Sequence, residues 1–427
     1  MKRRDVLRTA VLTGAAAGLV GTDLLPATTA FAAGDQPKPR EIVYHEWTSE
    51  HDFRLGEFAG LAVCNGSLAL TDPVGQLTYT DPTLGTTGTY DYATWTSPFV
   101  KVGFGASEAI SSWNADTPGG TWIQMELRGV TKAGDTTGWY VMGRWAADDS
   151  TISRTSVDGQ SDTDGTIETD TFVATSGHNL TSIQLRVTLY RPVGSGITPD
   201  VRSMGFVASK LPNAAVTTTA QNAIGTVLNV PMYSQQIHAD QYPDWGGGGE
   251  AWCSPTSTSM VVAFWGKGPK PADYAWVDPS YADPWIDYAA RNTYDYEYGG
   301  TGNWPFNAAY AGRFGLDAFI TRLRSLNEAE RFIAAGIPLV MSLSFKKDQI
   351  PGLDYSTGGH LVVLAGFDAT GQPVLNDPFS DSDADVRKPV GRPEFESAWL
   401  KTSGGTVYVI RPHGKALPPT TSSQSNW

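Results

Sequence analysis

Two residues of this chain have side chains that can do covalent chemistry together. Cys253 lies in the run Trp252-Cys253-Ser254-Pro255-Thr256. His360 opens the apolar stretch His360-Leu361-Val362-Val363-Leu364-Ala365-Gly366-Phe367. A cysteine attacks as its thiolate, and an imidazole is the usual group that takes and holds the proton. Cys253 follows a glycine run, Gly246 to Gly249, and precedes the apolar Met260-Val261-Val262-Ala263-Phe264-Trp265. This pattern predicts a loop turning into a buried helix, with the cysteine at its entrance. The positive end of the helix dipole favours the thiolate there. Pro255 suits a first helical turn, and Ser254 or a neighbouring hydroxyl is placed to cap it.

The base in turn needs an orienting group. After the His360 stretch comes a turn, Asp368 to Gly371, and then a second short strand ending Leu375-Asn376-Asp377-Pro378. Paired antiparallel strands of similar length align their far ends. Asp377 or Asn376 is therefore expected beside the imidazole. Taken alone, Asp377 reads as a turn former and His360 as a core histidine; their placement relative to Cys253 favours chemistry. Such a constellation needs neither metal nor cofactor. His45, His51 and His178 have no ligand spacing, and the turn aspartates lack the order of a calcium loop.

The elements that must position these residues occupy residues 229–412. Leu228 to Gln236 reads as a short extended strand. Helices are expected over Pro255–Trp265, Asp283–Asn292 and Trp304–Phe314. Another is expected over Leu326–Gly336, with Asn327 as its cap and Glu330 three residues on. Strands follow at Ile337–Phe345, His360–Phe367, Pro373–Asn376 and Thr406–Ile410. Helices first and antiparallel strands later describe an α+β domain.

Residues 41–210 differ in character. Ile123, Met125 and Leu127 alternate with polar residues, as do Ile183, Leu185, Val187 and Leu189, which is the period of half-buried strands. Many short strands separated by Gly, Asp and Thr clusters indicate an all-β sandwich, jelly-roll-like. Trp95, Trp113, Trp139 and Trp145 either fill that sandwich or stack on sugar rings at its surface. The small polar stretch 211–228 reads as a linker, and 413–427 as a loose Pro/Thr/Ser-rich tail.

At the N-terminus, Lys2-Arg3-Arg4 leads into a mildly apolar stretch and Ala30-Phe31-Ala32. This is the layout of a signal peptide over residues 1–32, of the twin-arginine type, and predicts an exported, extracellular bacterial protein. No later stretch is apolar enough to span a bilayer. The net charge is −13 with no basic stripe, which argues against nucleic acid and anionic membrane surfaces as partners. Cys64 and Cys253 are the only cysteines. A disulfide between them would block the nucleophile, but Cys64, within Gly60-Leu61-Ala62-Val63-Cys64, reads as a buried strand residue, leaving Cys253 free.

Val230-Pro231-Met232-Tyr233-Ser234-Gln235, then Cys253-Ser254-Pro255-Thr256-Ser257, then Gly359-His360 and Asn376-Asp377-Pro378, together resemble the papain-like cysteine peptidases of the bacteriocin-leader-processing type, in the broader C39-like sense. The resemblance spans roughly residues 226–412. It implies that Cys253 attacks, His360 is the base, Asp377 orients it and Gln235 donates to the oxyanion, with Gln236 as the fallback. The family usually has Gly after the cysteine, where this chain has Ser254. The sequence holds no transporter membrane domain, so coupling to bacteriocin export is not expected. The N-terminal half resembles the β-rich extension of secreted actinobacterial relatives. The expected activity is hydrolysis of peptide bonds in a peptide or protein substrate. The alternative is a cell-surface or glycan-binding protein, with the β domain on polysaccharide and an inactive papain-like half.

Overall fold

The computed structural model describes residues 39–215, 217–420 and 422–427. The signal-peptide expectation over 1–32 lies outside the described residues. Two seven-stranded antiparallel sheets form the N-terminal domain. One runs Gly165–Glu168, Thr171–Ala174, Glu108–Asp116, Asp200–Lys210, Ser67–Leu70, Leu61–Cys64, with Glu41–Trp47 also on Asp200–Lys210. The other centres on Leu180–Pro192 between Trp122–Thr131 and Thr87–Thr96. Ile123, Met125, Leu127, Ile183, Leu185, Val187 and Leu189 are all fully buried, as their alternation predicts. With Trp47 and Phe206 of the facing sheet they form one core, which makes the pair a sandwich. Trp95, Trp113 and Trp145 belong to that core rather than to a sugar-facing surface. Trp139 is half-buried, with the guanidiniums of Arg128 and Arg186 over its ring.

The second domain is a six-stranded antiparallel sheet with helices packed against it. Its strand order is Leu316–Arg322, Thr406–Pro412, Leu339–Phe345, Thr357–Phe367, Pro373–Asn376, Arg387–Pro389. The helices are Cys253–Phe264, Pro284–Thr293, Trp304–Gly312, Leu326–Ala334 and Arg392–Thr402. Every residue from Cys253 to Val262 is buried, its serines and threonines included, so the first helix turns no side to solvent over that span. No helix among the described residues is long and apolar enough to cross a membrane.

Local expectations need correction at several points. The helix at Leu326 starts after Ser325, and Asn327 does not cap it; its Oδ1 accepts from Arg392. Glu330, read as half of a capping box, is fully buried and accepts from the N–H groups of Gln221 and Asn222. The stretch after Leu228 is not a strand; Val227 makes a lone bridge to Gly366, and a turn of 3₁₀ helix follows at Gln236–His238.

The expected linker is instead fastened to the second domain. Thr218 bonds Glu396, Leu228 N–H donates to Ala365, and Ala223 sits in the core. A backbone whose donors are satisfied by buried carboxylates is anchored whatever its side chains. The tail is not loose either. Ser425 accepts from Tyr44 N–H, Asn426 donates to the Arg322 carbonyl, and the Trp427 ring packs on Phe332.

The two domains share a junction with little room. The Asn114 side chain donates to the Ala318 carbonyl at 2.8 Å and accepts from its N–H at 3.1 Å. Losing that amide would strand a buried backbone pair, at a cost of about 1–3 kcal/mol. Gly312 faces the same amide; a Cβ there would lie 2.4 Å from Asn114 Oδ1. Phe306 and Tyr310, from the second domain, complete the sandwich core.

Candidate active site

Cys253 is the first residue of its helix, two positions earlier than the proline pattern suggests. Trp252 takes the cap position, and no side-chain hydroxyl caps the helix. Ser254, the expected cap, instead meets the Tyr408 hydroxyl at 2.9 Å inside the core. Cys253 and Ser254 stand where helices leave N–H groups without an intrahelical acceptor. The glycine run delivers the cysteine by close approach: a Cβ on Gly249 would lie 2.3 Å from the His238 carbonyl carbon.

His360 lies on the central strand Thr357–Phe367, opposite Leu343, and is 3 % exposed. Its Nε2 meets Asp377 Oδ1 at 2.8 Å. Nδ1 is therefore the nitrogen left to face Cys253, whose side chain acts on the imidazole and helps to raise its pKa. Asp377 reaches the ring differently from the expected alignment of strand ends. Asn376 pairs with Val363, three residues past His360, and a bulge between Leu364 and Gly366 shifts the register. Asp377 is the next residue, so its carboxylate spans back along the strand to His360. Asn376, the other candidate, turns away from the ring; its amide donates to the Pro231 carbonyl and accepts from Arg387.

The electrostatics are set by burial and by these contacts. Burial alone would lower the His360 pKa, but the hydrogen bonds to Asp377 and Cys253 outweigh it and push it up to about 9. Burial alone would raise that of Asp377, but the His360 hydrogen bond and the Lys388 charge bring it below the usual carboxylate range. An imidazole that takes a proton here is held as a cation beside the fixed anion of Asp377, which suits a base that must keep the proton of a neighbouring thiol.

Three residues not singled out in the sequence complete the surroundings. The Tyr355 hydroxyl donates to both Asp377 oxygens, at 3.1 and 3.0 Å. Lys388 Nζ lies 3.5 Å from Asp377 Oδ2. Phe379 packs its ring at a tilt against Tyr355 and donates its N–H to Asp377 Oδ1. The aromatic residue five positions before His360 was the one available signal for Tyr355.

Gln235 lines the same cavity as Cys253 and His360, whereas Gln236 does not. Its N–H donates to the Pro378 carbonyl, next to Asp377. Its Nε2 donates to the carbonyls of Gly249 at 3.1 Å and Glu250 at 2.7 Å, and its buried Oε1 has no partner among the described residues. The amide is thus turned toward the glycine loop. Both cysteines are free thiols; Cys64, expected to be buried, is exposed. His238 is buried 3.3 Å from Asp287, and His413 is exposed beside Asp317.

Residues 227–407 match the model of the Peptidase_C39 like family, and residues 43–209 that of the Peptidase C39 N-terminal domain. No curated protein matches the chain. Among solved structures it is similar to the κ-carrageenase of Pseudoalteromonas carrageenovora in complex with an oligotetrasaccharide of κ-carrageenan, at 8 % identity and a TM-score of 0.22, over 42 % of this chain and 100 % of that one. A second is the CBM22-1–GH10 part of xylanase 10B of Clostridium thermocellum with xylohexaose, at 12 % identity and a TM-score of 0.18, over 45 % of this chain and 34 % of that one. Likenesses this low bear on neither fold nor ligand.

Proposed function

For a chain that carries a C39-like peptidase domain behind a C39 N-terminal domain, we propose a papain-like cysteine peptidase that hydrolyses peptide bonds through Cys253, His360 and Asp377. The observation that carries this reading is the relay itself: Asp377 holds Nε2 of a buried His360 at 2.8 Å, and Nδ1 is left to the thiol at a helix entrance. Cys253 gives its proton to Nδ1 and attacks the peptide carbonyl carbon. The Cys253 N–H holds the developing oxyanion, joined by Gln235 once its amide turns from the glycine-loop carbonyls. The imidazolium then protonates the leaving amine. Water, deprotonated by the freed imidazole, hydrolyses the thioester and restores the thiol.

Stoichiometric labelling of Cys253 by iodoacetamide or E-64, lost in His360→Ala, is the expected result. Equal labelling in the variant would remove the base from the mechanism. The same proposal places the protein outside the cell, supported by Arg3-Arg4 and Ala30-Phe31-Ala32. N-terminal sequencing of protein from the culture medium should then begin at Ala33; material retaining Met1 would contradict it.

A further inference from the structure

The cavity that holds Cys253 and His360 has a volume of about 1640 Å³, and the peptidase-like domain does not enclose it alone. Glu108, Glu168, Thr171 and Val173 of the N-terminal domain also line it. Three of these lie on one hairpin, whose strands Gly165–Glu168 and Thr171–Ala174 pair with Glu168 opposite Thr171. We infer that this hairpin is the second wall of the substrate cleft, and that Glu168 selects peptides bearing a Lys or Arg side chain there. The inference rests on the peptidase reading and adds the substrate class to it.

The wall is built to hold its position. At the hairpin tip Thr169 takes a left-handed φ of 62°, and Asp170 is fully buried. Asp170 Oδ2 accepts from the N–H of Trp304 at 2.8 Å, at the first residue of the helix Trp304–Gly312, where a carboxylate is favoured by the dipole. Trp304 lines the cleft too. The other hairpin strand joins the sandwich through Val173 opposite Glu108. The hairpin is therefore pinned to the peptidase-like domain at its tip and to the sandwich along its edge.

The charges of this wall differ in their commitments. Glu108 is ion-paired with Arg322, which also donates to Ser209. Glu168 is half-buried, and among the described residues no hydrogen bond or ion pair holds its carboxylate. On the opposite bank the loop before Cys253 adds the exposed Asp244 and Glu250; among the described residues Lys401 is the one uncommitted base on the lining. A carboxylate partly withdrawn from water and left unpaired gains most from an arriving cation. A cleft dominated by one sign of charge also concentrates ligands of the other sign.

The test uses the Cys253→Ala chain, so that binding is read without turnover. Two blocked, fluorescein-labelled hexapeptides, identical except for two Lys or two Glu, are titrated by fluorescence anisotropy. The Lys peptide should bind more tightly by about tenfold, the worth of one charge-assisted contact. Glu168→Gln should abolish most of that ratio, whereas Asp72→Asn, the same charge change on an exposed residue outside the cleft, should leave it intact. Val173→Trp should weaken both peptides by narrowing the wall. Equal affinities for the two peptides, or an unchanged ratio in Glu168→Gln, overturns the inference. Labelling of Cys253 in the unaltered chain is a separate readout: a charge preference without labelling sinks the peptidase reading, and labelling without a preference sinks this one.

Discussion

Cys64 and Cys253 place the same thiol in opposite settings. Cys64 ends a strand and faces solvent, opposite Ser67 across a tight turn in which Asn65 and Gly66 have φ of 52° and 84°. Cys253 is 5 % exposed, at a helix entrance, and faces the His360 imidazole, whose pKa is pushed up to about 9. Access alone ranks Cys64 as the more reactive. In the proposed mechanism charge environment reverses the order, because the reacting species is the thiolate and Cys253 faces an imidazole that can hold its proton. The two cysteines are a built-in control: a change that touches the catalytic chemistry moves one, and a change that unfolds the chain moves both.

The largest effect should come from His360→Ala. Peptide cleavage should fall roughly 10⁴-fold, the scale on which triad members matter. Mapped iodoacetamide labelling should drop at Cys253 and hold at Cys64; parallel changes at both would point to unfolding. Gln235→Ala comes next. Loss of an oxyanion donor costs roughly 10²–10³ in kcat, yet alkylation passes through no tetrahedral oxyanion. Cleavage should therefore collapse while Cys253 labelling by iodoacetamide stays near the unaltered rate. A matched loss would mean that Gln235 serves only to hold the carbonyls of Gly249 and Glu250.

The smallest effect belongs to Tyr355→Phe. Removing the hydroxyl that donates to Asp377 leaves the carboxylate more negative and His360 a stronger base. Cleavage should fall by less than about tenfold, the scale of one hydrogen bond. The alkaline limb of activity, set near pH 9 by loss of the imidazolium, should move upward. An unmoved limb would leave Tyr355 a packing residue. Stability follows the same groups. His360 has its pKa raised from 6.5 to about 9, so its contribution is complete below about pH 6.5 and lost as pH rises through about 9. The amount is on the order of 3 kcal/mol. Asp377 has its pKa lowered from 3.8, so its contribution is present above that value and lost as pH falls below it. Thermal melts between about pH 6 and 10 should show the first loss in the unaltered chain and not in His360→Ala.

The candidate residues Cys253, His360 and Asp377, which the fold brings together, were legible from their types and order, each beside an apolar element or its turn. What surrounds them was not. The strand pairing depends on a bulge between Leu364 and Gly366, which no local pattern announces. Tyr355 and Lys388 reach Asp377 from a loop and from a three-residue strand, Arg387–Pro389, whose partner is fixed only by the folded sheet. The β domain was readable where it alternates, as in Ile123 to Leu127 and Ile183 to Leu189, but not in Glu108–Asp116, which is buried on both faces where the second domain packs on it. Its union with the second domain was not, because a buried Asn114 and backbone donors on Gln221 and Asn222 carry no hydrophobic signal. The same holds for the tail, where composition suggested slack and Asn426 and Trp427 supply anchors.

The contact between Asn114 and Gly312 also bears on how such chains can be recombined. With 2.4 Å between the amide oxygen and a Cβ at position 312, the junction accepts no side chain there. Phe306 and Tyr310 fill a core that is mostly sandwich. Neither half is a cassette that could be grafted onto another partner with its surface intact: a transplanted β domain would carry an open socket, and the helix that fills it would be left without a seat.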